Sequence, residues 1–405
     1  MSIPAPKKYI SDFEKMGMGM FVHWGPYAIP AWHEQIRMRK GISRAEYAEM
    51  AAGFCPEKYD PEAWVRLAKE AGMEYICITT KHHDGFCMWD TRQTDFNIVK
   101  TSGRDILKEL SDACRKYGIA LSLYYSIPDW NQPCAYNSLS THQCAPEEGD
   151  TPDSAAYRDY VKAQVRELLT GYGPIYTWFW DIPPKIDDPS MNEYVRSLQP
   201  DILINDRGWS EGDFSTPERS VPDGDSFPRY TEACQSVGQY SWGYREQEDY
   251  FTPAFLAGSM DKIFLMGGSY LLNVGPDRDG VIPAKSREIV EAVGKWYRSV
   301  REAFVSGAEP CRDIASGAVW VAKTENTYYL HTKAPLISSG LSLAPLDRLP
   351  ASAVLLNTGE DVEAVLETYP EDYTGTYGIN RAPVLRLRNI PESAGGMPLV
   401  FRIQF

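Results

Sequence analysis

Basic charge is scarce in this 405-residue chain: 41 Lys and Arg stand against 55 Asp and Glu, a formal net charge of -14. With no basic stripe or recognition helix in view, that balance argues against nucleic acid as a partner. Long apolar runs are also missing. Nothing approaches the ~20 residues of a membrane-spanning helix, so no membrane partner is expected. The opening stretch "MSIPAPKKYISDFEKMGMGMF" lacks the apolar core of a secretory leader, which makes the expected location cytoplasmic. The eight cysteines contain no Cys-x-x-Cys pair, which reads as free thiols rather than a disulfide framework or a zinc site. No Gly-rich phosphate loop follows the first apolar segment, which counts against a dinucleotide fold. Histidine is sparse as well, six in all, yet His23, His33, His82 and His83 fall before residue 84.

What is there is an alternation. Short apolar runs such as "GMFVHWG", "YICITTKHH", "IALSLYYS", "IYTWFWD", "ILINDRG" and "SYLLNVGP" are separated by helical patterns such as "PEAWVRLAKEAG" and "GRDILKELSDACRKYG". Continuous apolar strands between helices imply a parallel sheet covered on both faces. Spread over about 300 residues, the repeat predicts an α/β architecture, a (β/α)₈-like barrel of the TIM type, over residues 1–305. After Phe304 the pattern turns to short alternating strands, as in "GAVWVAKTENTYYLHTK" and "PLVFRIQF". Residues 306–405 therefore read as a small C-terminal antiparallel β-sandwich.

Polar residues collect where the strands end: His23, His82 and His83, Tyr124 to Asp129, Asp181, Asn205 to Arg207 and Asn273. In a barrel those ends share one face, and that face carries the active site. One such residue means little, since loop polar groups cap helices and fill turns. Five or six consecutive strands ending this way point to a pocket. Several of the eleven tryptophans flank these groups, Trp24 after His23 and Trp180 before Asp181 among them. Aromatic rings beside hydrogen-bonding groups suit a sugar, which offers an apolar face and a rim of hydroxyls.

A metal is the rival use of the histidines. Two imidazoles on one strand face need an i, i+2 spacing, whereas His82 and His83 are adjacent and would point to opposite faces. No metal or cofactor is therefore expected. Asp181 closes an aromatic strand and is followed by Pro183-Pro184 rather than a clean helix start, which favours a catalytic acid over a cap. Glycoside hydrolysis requires a second carboxyl; "GDFSTPERS" offers Glu218 and "YTEACQS" offers Glu232.

The blocks "MFVHWGPYAIPAW", "KHHDGFCMWDT", "LYYSIPDW", "INDRGWSEGDFSTPE", "SWGY" and "YLLNVGPDRDGVIP" resemble, in order, those of glycoside hydrolase family 29, the α-L-fucosidases. The resemblance spans residues ~15 to 300. It implies a barrel with a C-terminal β-sandwich and retaining hydrolysis of terminal α-L-fucosides, without metal or cofactor. By motif, Asp181 resembles the family nucleophile and Glu218 its acid/base, with Glu232 as runner-up. His23, Trp24, Glu34, His82, His83, Tyr124, Phe179, Arg207 and Trp242 match sugar contacts, while Lys81 and Asp84 match supporting positions. The implied partner is a fucosylated oligosaccharide or glycoconjugate; a homo-oligomer is left open. An α-L-galactosidase and a catalytically silent fucose-binding protein are the alternatives. Two departures stand out: Ile182 follows the nucleophile where the family usually carries glycine, and Gln35 follows Glu34 where it often carries an aromatic. Both imply a changed rim.

Overall fold

The computed structural model of the chain describes residues 17–221, 223–368 and 383–405. Most of the N-terminal stretch read for a leader, residues 1–16, lies outside the described residues. No helix among those described is long and apolar enough to cross a membrane. The chain divides into two compact units. One takes the described residues up to 221, with 227–251 and 267–291; the other takes 223–226, 252–266 and the described residues from 292 to 405.

The first unit is built on a parallel sheet of seven strands: β1 (Met18–Val22), β2 (Tyr75–Lys81), β3 (Ala120–Ser126), β4 (Thr177–Asp181), β5 (Leu203–Ile204), β6 (Glu232–Ser236) and β7 (Ser269–Val274). Their order is β5-β4-β3-β2-β1-β7-β6. Between the two edge strands runs the segment 214–219. Phe214 bridges Asn205, just past β5, while Ser215 bridges Thr231 and Glu218 bridges Cys234 of β6. The sheet thus curls until a piece of irregular chain joins its edges, giving the barrel-like form that the strand–helix alternation predicts. One inward side chain after another fills the interior: Phe21, Cys77, Tyr124, Phe179, Leu203, Cys234 and Leu271, with Phe214 from the joining segment.

The intervening helices begin and end on local signals. Helix α1 (Pro61–Ala71) starts at Asp60, whose carboxylate accepts from Ala63 N, and has proline at its first position. Helix α2 (Ile106–Tyr117) starts at Asp105, which accepts from Lys108 N. Each ends at a glycine in the left-handed region, Gly72 and Gly118, where an L side chain would be strained. Helices α3 (Ser154–Gly171) and α4 (Pro189–Leu198) follow β3 and β4. Strand β6 is absent from the sequence-based reading. Its residues, "EACQS", lack the β-branched and aromatic side chains that mark a strand, and it is buried throughout only because its neighbours cover it.

In the second unit two antiparallel sheets share one apolar core. Val319, Val321, Leu330, Leu355, Phe401 and Ile403 come from one sheet and Leu341, Leu385 and Leu387 from the other. That is the sandwich expected from the alternating pattern of the last hundred residues.

Candidate active site

A small cavity of about 90 Å³ sits where the strands end. His23, Glu34, His82, His83, Tyr124, Phe179, Asp181, Arg207, Glu218 and Trp242 all line it, so residues 219 positions apart in sequence meet there. Ten of the eleven site residues read from the sequence are brought together.

Asp181 is the last residue of β4 and is buried, with 7% of its surface accessible. Its two oxygens have separate partners. Tyr124 donates its hydroxyl to Oδ2 at 2.6 Å, and Arg207 donates Nε (3.1 Å) and Nη2 (2.7 Å) to Oδ1. The other arm of the same guanidinium, Nη1, lies 2.5 Å from Glu218 Oε1. One cation therefore bridges two carboxylates, and their environments push them apart. Burial alone would raise the Asp181 pKa, but Arg207 and Tyr124 outweigh it and hold the acid below its ordinary value. Glu218 moves the other way: its enclosed position and the nearby Asp181 charge raise it despite Arg207. In a pair of carboxyl groups split in this direction, Glu218 holds a proton more readily than Asp181 does. The Glu218 side chain keeps 38% of its surface open, at the mouth of the cavity.

The imidazoles are fixed in their tautomers by what stands behind them. Asn273 donates its amide to Trp242 O and Ser236 Oγ, so its oxygen accepts, at 2.7 Å, from His23 Nδ1. Ser126 donates its hydroxyl to Pro128 O and accepts from His83 Nδ1 at 2.6 Å. Both histidines thereby present Nε2 as an acceptor, and that of His83 lies 3.9 Å from Asp181 Oδ2. Burial drives the His23 pKa down to about 4 and those of His82 and His83 well below the usual value, so all three are neutral at pH 7. Glu34 Oε2 accepts from Ser241 Oγ (2.7 Å) and from Trp242 N (3.0 Å). Burial opposes its charge, yet His33, His82 and the Ser241 hydroxyl keep its pKa at about 2. The rim thus offers neutral acceptors and one fixed carboxylate, a set suited to hydroxyl groups. Phe21, Phe179 and Trp242 add an apolar wall: the Phe21 ring centroid lies 5.4 Å from that of Phe179 and 6.3 Å from that of Trp242.

The sequence pattern of the alpha-L-fucosidase family matches residues 3–302. The chain belongs to that family. It is 27% identical to the tissue alpha-L-fucosidase of Rattus norvegicus, over 93% of this chain and 89% of the relative. To the tissue alpha-L-fucosidase of Homo sapiens it is also 27% identical, over 78% and 72%. Among solved structures, alpha-L-fucosidase isoenzyme 1 from Paenibacillus thiaminolyticus superposes with a TM-score of 0.82 at 30% identity, covering 98% of this chain and 99% of that one.

Two fucosidase-like assignments from the sequence need correction. Trp24 does not line the cavity. It follows His23, and neighbours at a strand end point to opposite sides; its ring packs on Tyr59 and Trp64, and its indole donates to Asp277 O at 2.8 Å. Glu232 does not line it either. It opens β6, as Tyr75 opens β2, and accepts from the Tyr75 hydroxyl at 2.6 Å at the opposite end of the strands. His82 and His83 do not diverge either. Strand β2 stops at Lys81, and the turn beyond it, with Gly85 at φ +83, puts both rings in the cavity with centroids 4.1 Å apart. A Cβ at Gly85 would lie 2.3 Å from Asp129 Oδ1, so that turn requires glycine. Lys81 and Asp84 are supports, as the resemblance implies: Lys81 Nζ donates to Asp129 and Tyr125, and Asp84 accepts from Tyr47. Phe21 and His142 line the cavity without having been singled out, and Gln35 and Ile182, the two departures from the family pattern, line it too. Phe21 was detectable, being two residues before His23 on the same strand face. His142 comes from a loop with no periodic signal. Among the described residues no group of three or more His, Cys, Asp and Glu is disposed to hold a metal ion.

Proposed function

We propose that the chain hydrolyses terminal α-L-fucosides by double displacement, with Asp181 as nucleophile and Glu218 as acid/base. The observation that carries this reading is the single guanidinium of Arg207 shared by both carboxylates, with Asp181 lowered and Glu218 raised. Protonated Glu218 gives its proton to the glycosidic oxygen as Asp181 attacks the anomeric carbon, so the bond to the leaving group breaks while an ester to Asp181 forms. With Asp181 esterified, a negative charge beside Glu218 disappears. Its deprotonated form becomes easier to hold, and it takes a proton from the water that releases fucose. His23, His82, His83 and Glu34 accept from the sugar hydroxyls. The aromatic wall of Phe21, Phe179 and Trp242 favours a methyl at C5 over a hydroxymethyl group, which supports a fucoside over an α-L-galactoside.

Asp181→Asn tests the reading. Turnover of an aryl α-L-fucoside should fall by about 10³-fold or more, while calorimetry still detects fucose binding. Near-normal turnover in that variant would remove Asp181 from the mechanism.

A further inference from the structure

Glu218 sits on the joining segment and not on a strand, so something other than a regular ladder must fix where its carboxyl points. The residue after it is placed to do so. Arg219 has φ 52, in the left-handed region, and its guanidinium runs to the segment 238–243. Nη1 donates to Gly238 O at 3.1 Å and to Gln239 O at 2.7 Å. The guanidinium carbon lies 4.3 Å from the centroid of the Trp242 ring, and Trp242 lines the cavity. Resting on the fucosidase reading, we propose that Arg219 is a positioning residue for proton donation: it clamps Glu218 to the segment 238–243 and so sets where the carboxyl meets the glycosidic oxygen.

Three observations carry this. The first is the anchor. Glu248 accepts from Tyr240 N (2.9 Å) and Ser241 N (3.1 Å), and Glu34 Oε2 accepts from Trp242 N (3.0 Å) and Gly243 N (3.3 Å). The clamp therefore ends on a segment whose main chain two carboxylates already hold. The second is cost. A side chain at φ 52 is strained, and Arg219 Nη2 is buried with no hydrogen-bond partner. Neither feature favours folding, and such features gather where a position has to be kept. The third is electrostatics. The guanidinium faces Glu34, Glu248 and Glu218, while Glu218 faces Arg207, Asp181 and Arg219. The Arg219 charge opposes the rise of the Glu218 pKa, so it does not help to keep the acid protonated. What it supplies is place. A donor must lie within hydrogen-bond reach of the oxygen it serves, and a shift of about 1 Å can cost about 10²-fold in rate.

The test compares kcat/KM for phenyl α-L-fucoside, whose leaving oxygen needs the proton, with that for 2-chloro-4-nitrophenyl α-L-fucoside, whose phenolate departs without it. Taking the ratio on each protein cancels the amount of folded enzyme. Arg219→Met should lower the phenyl value by about 30-fold or more and the chloronitrophenyl value by about threefold or less. Arg219→Lys keeps the charge but not the flat fork that stacks on Trp242 and spans two carbonyls, so it should recover no more than about a third of the phenyl value. The pH profiles separate charge from place. Glu218 must be protonated in the first step, so its deprotonation sets the alkaline limb of kcat/KM. Removing a nearby cation raises its pKa, which moves that limb to higher pH in Arg219→Met and leaves it in place in Arg219→Lys. Equal losses on both substrates in Arg219→Met overturn the proposal, as does a full phenyl value in Arg219→Lys or an unmoved limb in Arg219→Met. Glu218→Ala on the same two substrates keeps the readings apart. If it is selective and Arg219→Met is not, the clamp alone fails. If it loses both substrates equally, the acid/base assignment fails, and the clamp with it.

Discussion

Replacing Arg207 by methionine keeps the length of the side chain and removes the charge that both carboxylates share. In the folded chain its Nε and Nη2 reach Asp181 Oδ1 at 3.1 and 2.7 Å, and Nη1 reaches Glu218 Oε1 at 2.5 Å. Breaking a buried ion pair by removing one partner costs about 3–5 kcal/mol, because the other charge is left unpaired. If that loss falls on the step in which Asp181 must attack as an anion, kcat/KM drops by about 10²- to 10⁴-fold. The pH profile gives the sharper reading. Arg207 is what overrides burial to lower the Asp181 pKa. Without it the acid protonates more readily, so the acidic limb of kcat/KM moves to higher pH, by about 1–3 pH units. The assay is kcat/KM against pH on an aryl fucoside with a good leaving group, where proton donation by Glu218 matters least. Stability follows the same sign. A depressed folded pKa contributes stability above the unfolded value of ~3.9, and that contribution is lost as pH falls through the folded value. The variant should therefore be less stable than the parent at neutral pH and converge with it in acid. An unmoved acidic limb together with a rate loss under tenfold would refute the reasoning.

Glu218→Ala should keep its first step on substrates with good leaving groups and stall in the second, with azide restoring turnover and yielding a β-fucosyl azide; rescue of Glu232→Ala instead would move the acid/base role. Glu232→Gln should retain activity within about threefold and change the pH dependence of stability. Burial raises the Glu232 pKa to about 7, so its contribution is present below the unfolded value of ~4.3 and lost as pH rises through 7, a loss of ~3 kcal/mol that the amide abolishes; denaturant midpoints that fall in parallel for both proteins would contradict this. Exhaustive chelation should leave turnover unchanged, and a stoichiometric metal whose removal abolishes it would overturn the role given to the histidines. Trp24→Phe should lower stability by about 1–3 kcal/mol, through loss of the bond to Asp277 O, while KM for an aryl fucoside stays put; a raised KM would return Trp24 to the site.

Where the chain follows regular periods, the sequence was enough to place both fold and site. Asp181 and Phe179 alternate on β4, and Phe21 of β1 alternates with His23, one residue past its end but still paired to β7 through His23 N and Val274 O, so the inward face of each strand could be read two residues at a time. Trp24 fails by the same rule, because adjacency to His23 puts it outside. The errors gather where the chain leaves its period. His82 and His83 lie where the chain turns away from β2 towards Gly85 at φ +83, so strand alternation no longer governs them. Strand β6 has no apolar signature of its own, so nothing in the sequence marks Glu232, the runner-up for the acid/base, as the first residue of a strand, away from the pocket. Ile182 was noticed for what it replaces, but its left-handed backbone and its place in the cavity lining depend on the tertiary structure.

The segment 214–219 that joins the edges of the sheet has a mechanical consequence. Regular strands hold Asp181 on one side, while Glu218 rides on a seam stitched to its neighbour by few main-chain bonds: Ser215 N to Tyr230 O, Glu232 N to Ser215 O, Cys234 N to Pro217 O and Arg219 N to Cys234 O. Local opening follows the places with least hydrogen bonding and packing. A fluctuation that unzips this seam withdraws Glu218 and leaves Asp181 and the seven strands where they are. The enzyme can then be disarmed without being unfolded. Insertions on either side of the seam can likewise reposition Glu218, with the rest of the barrel undisturbed.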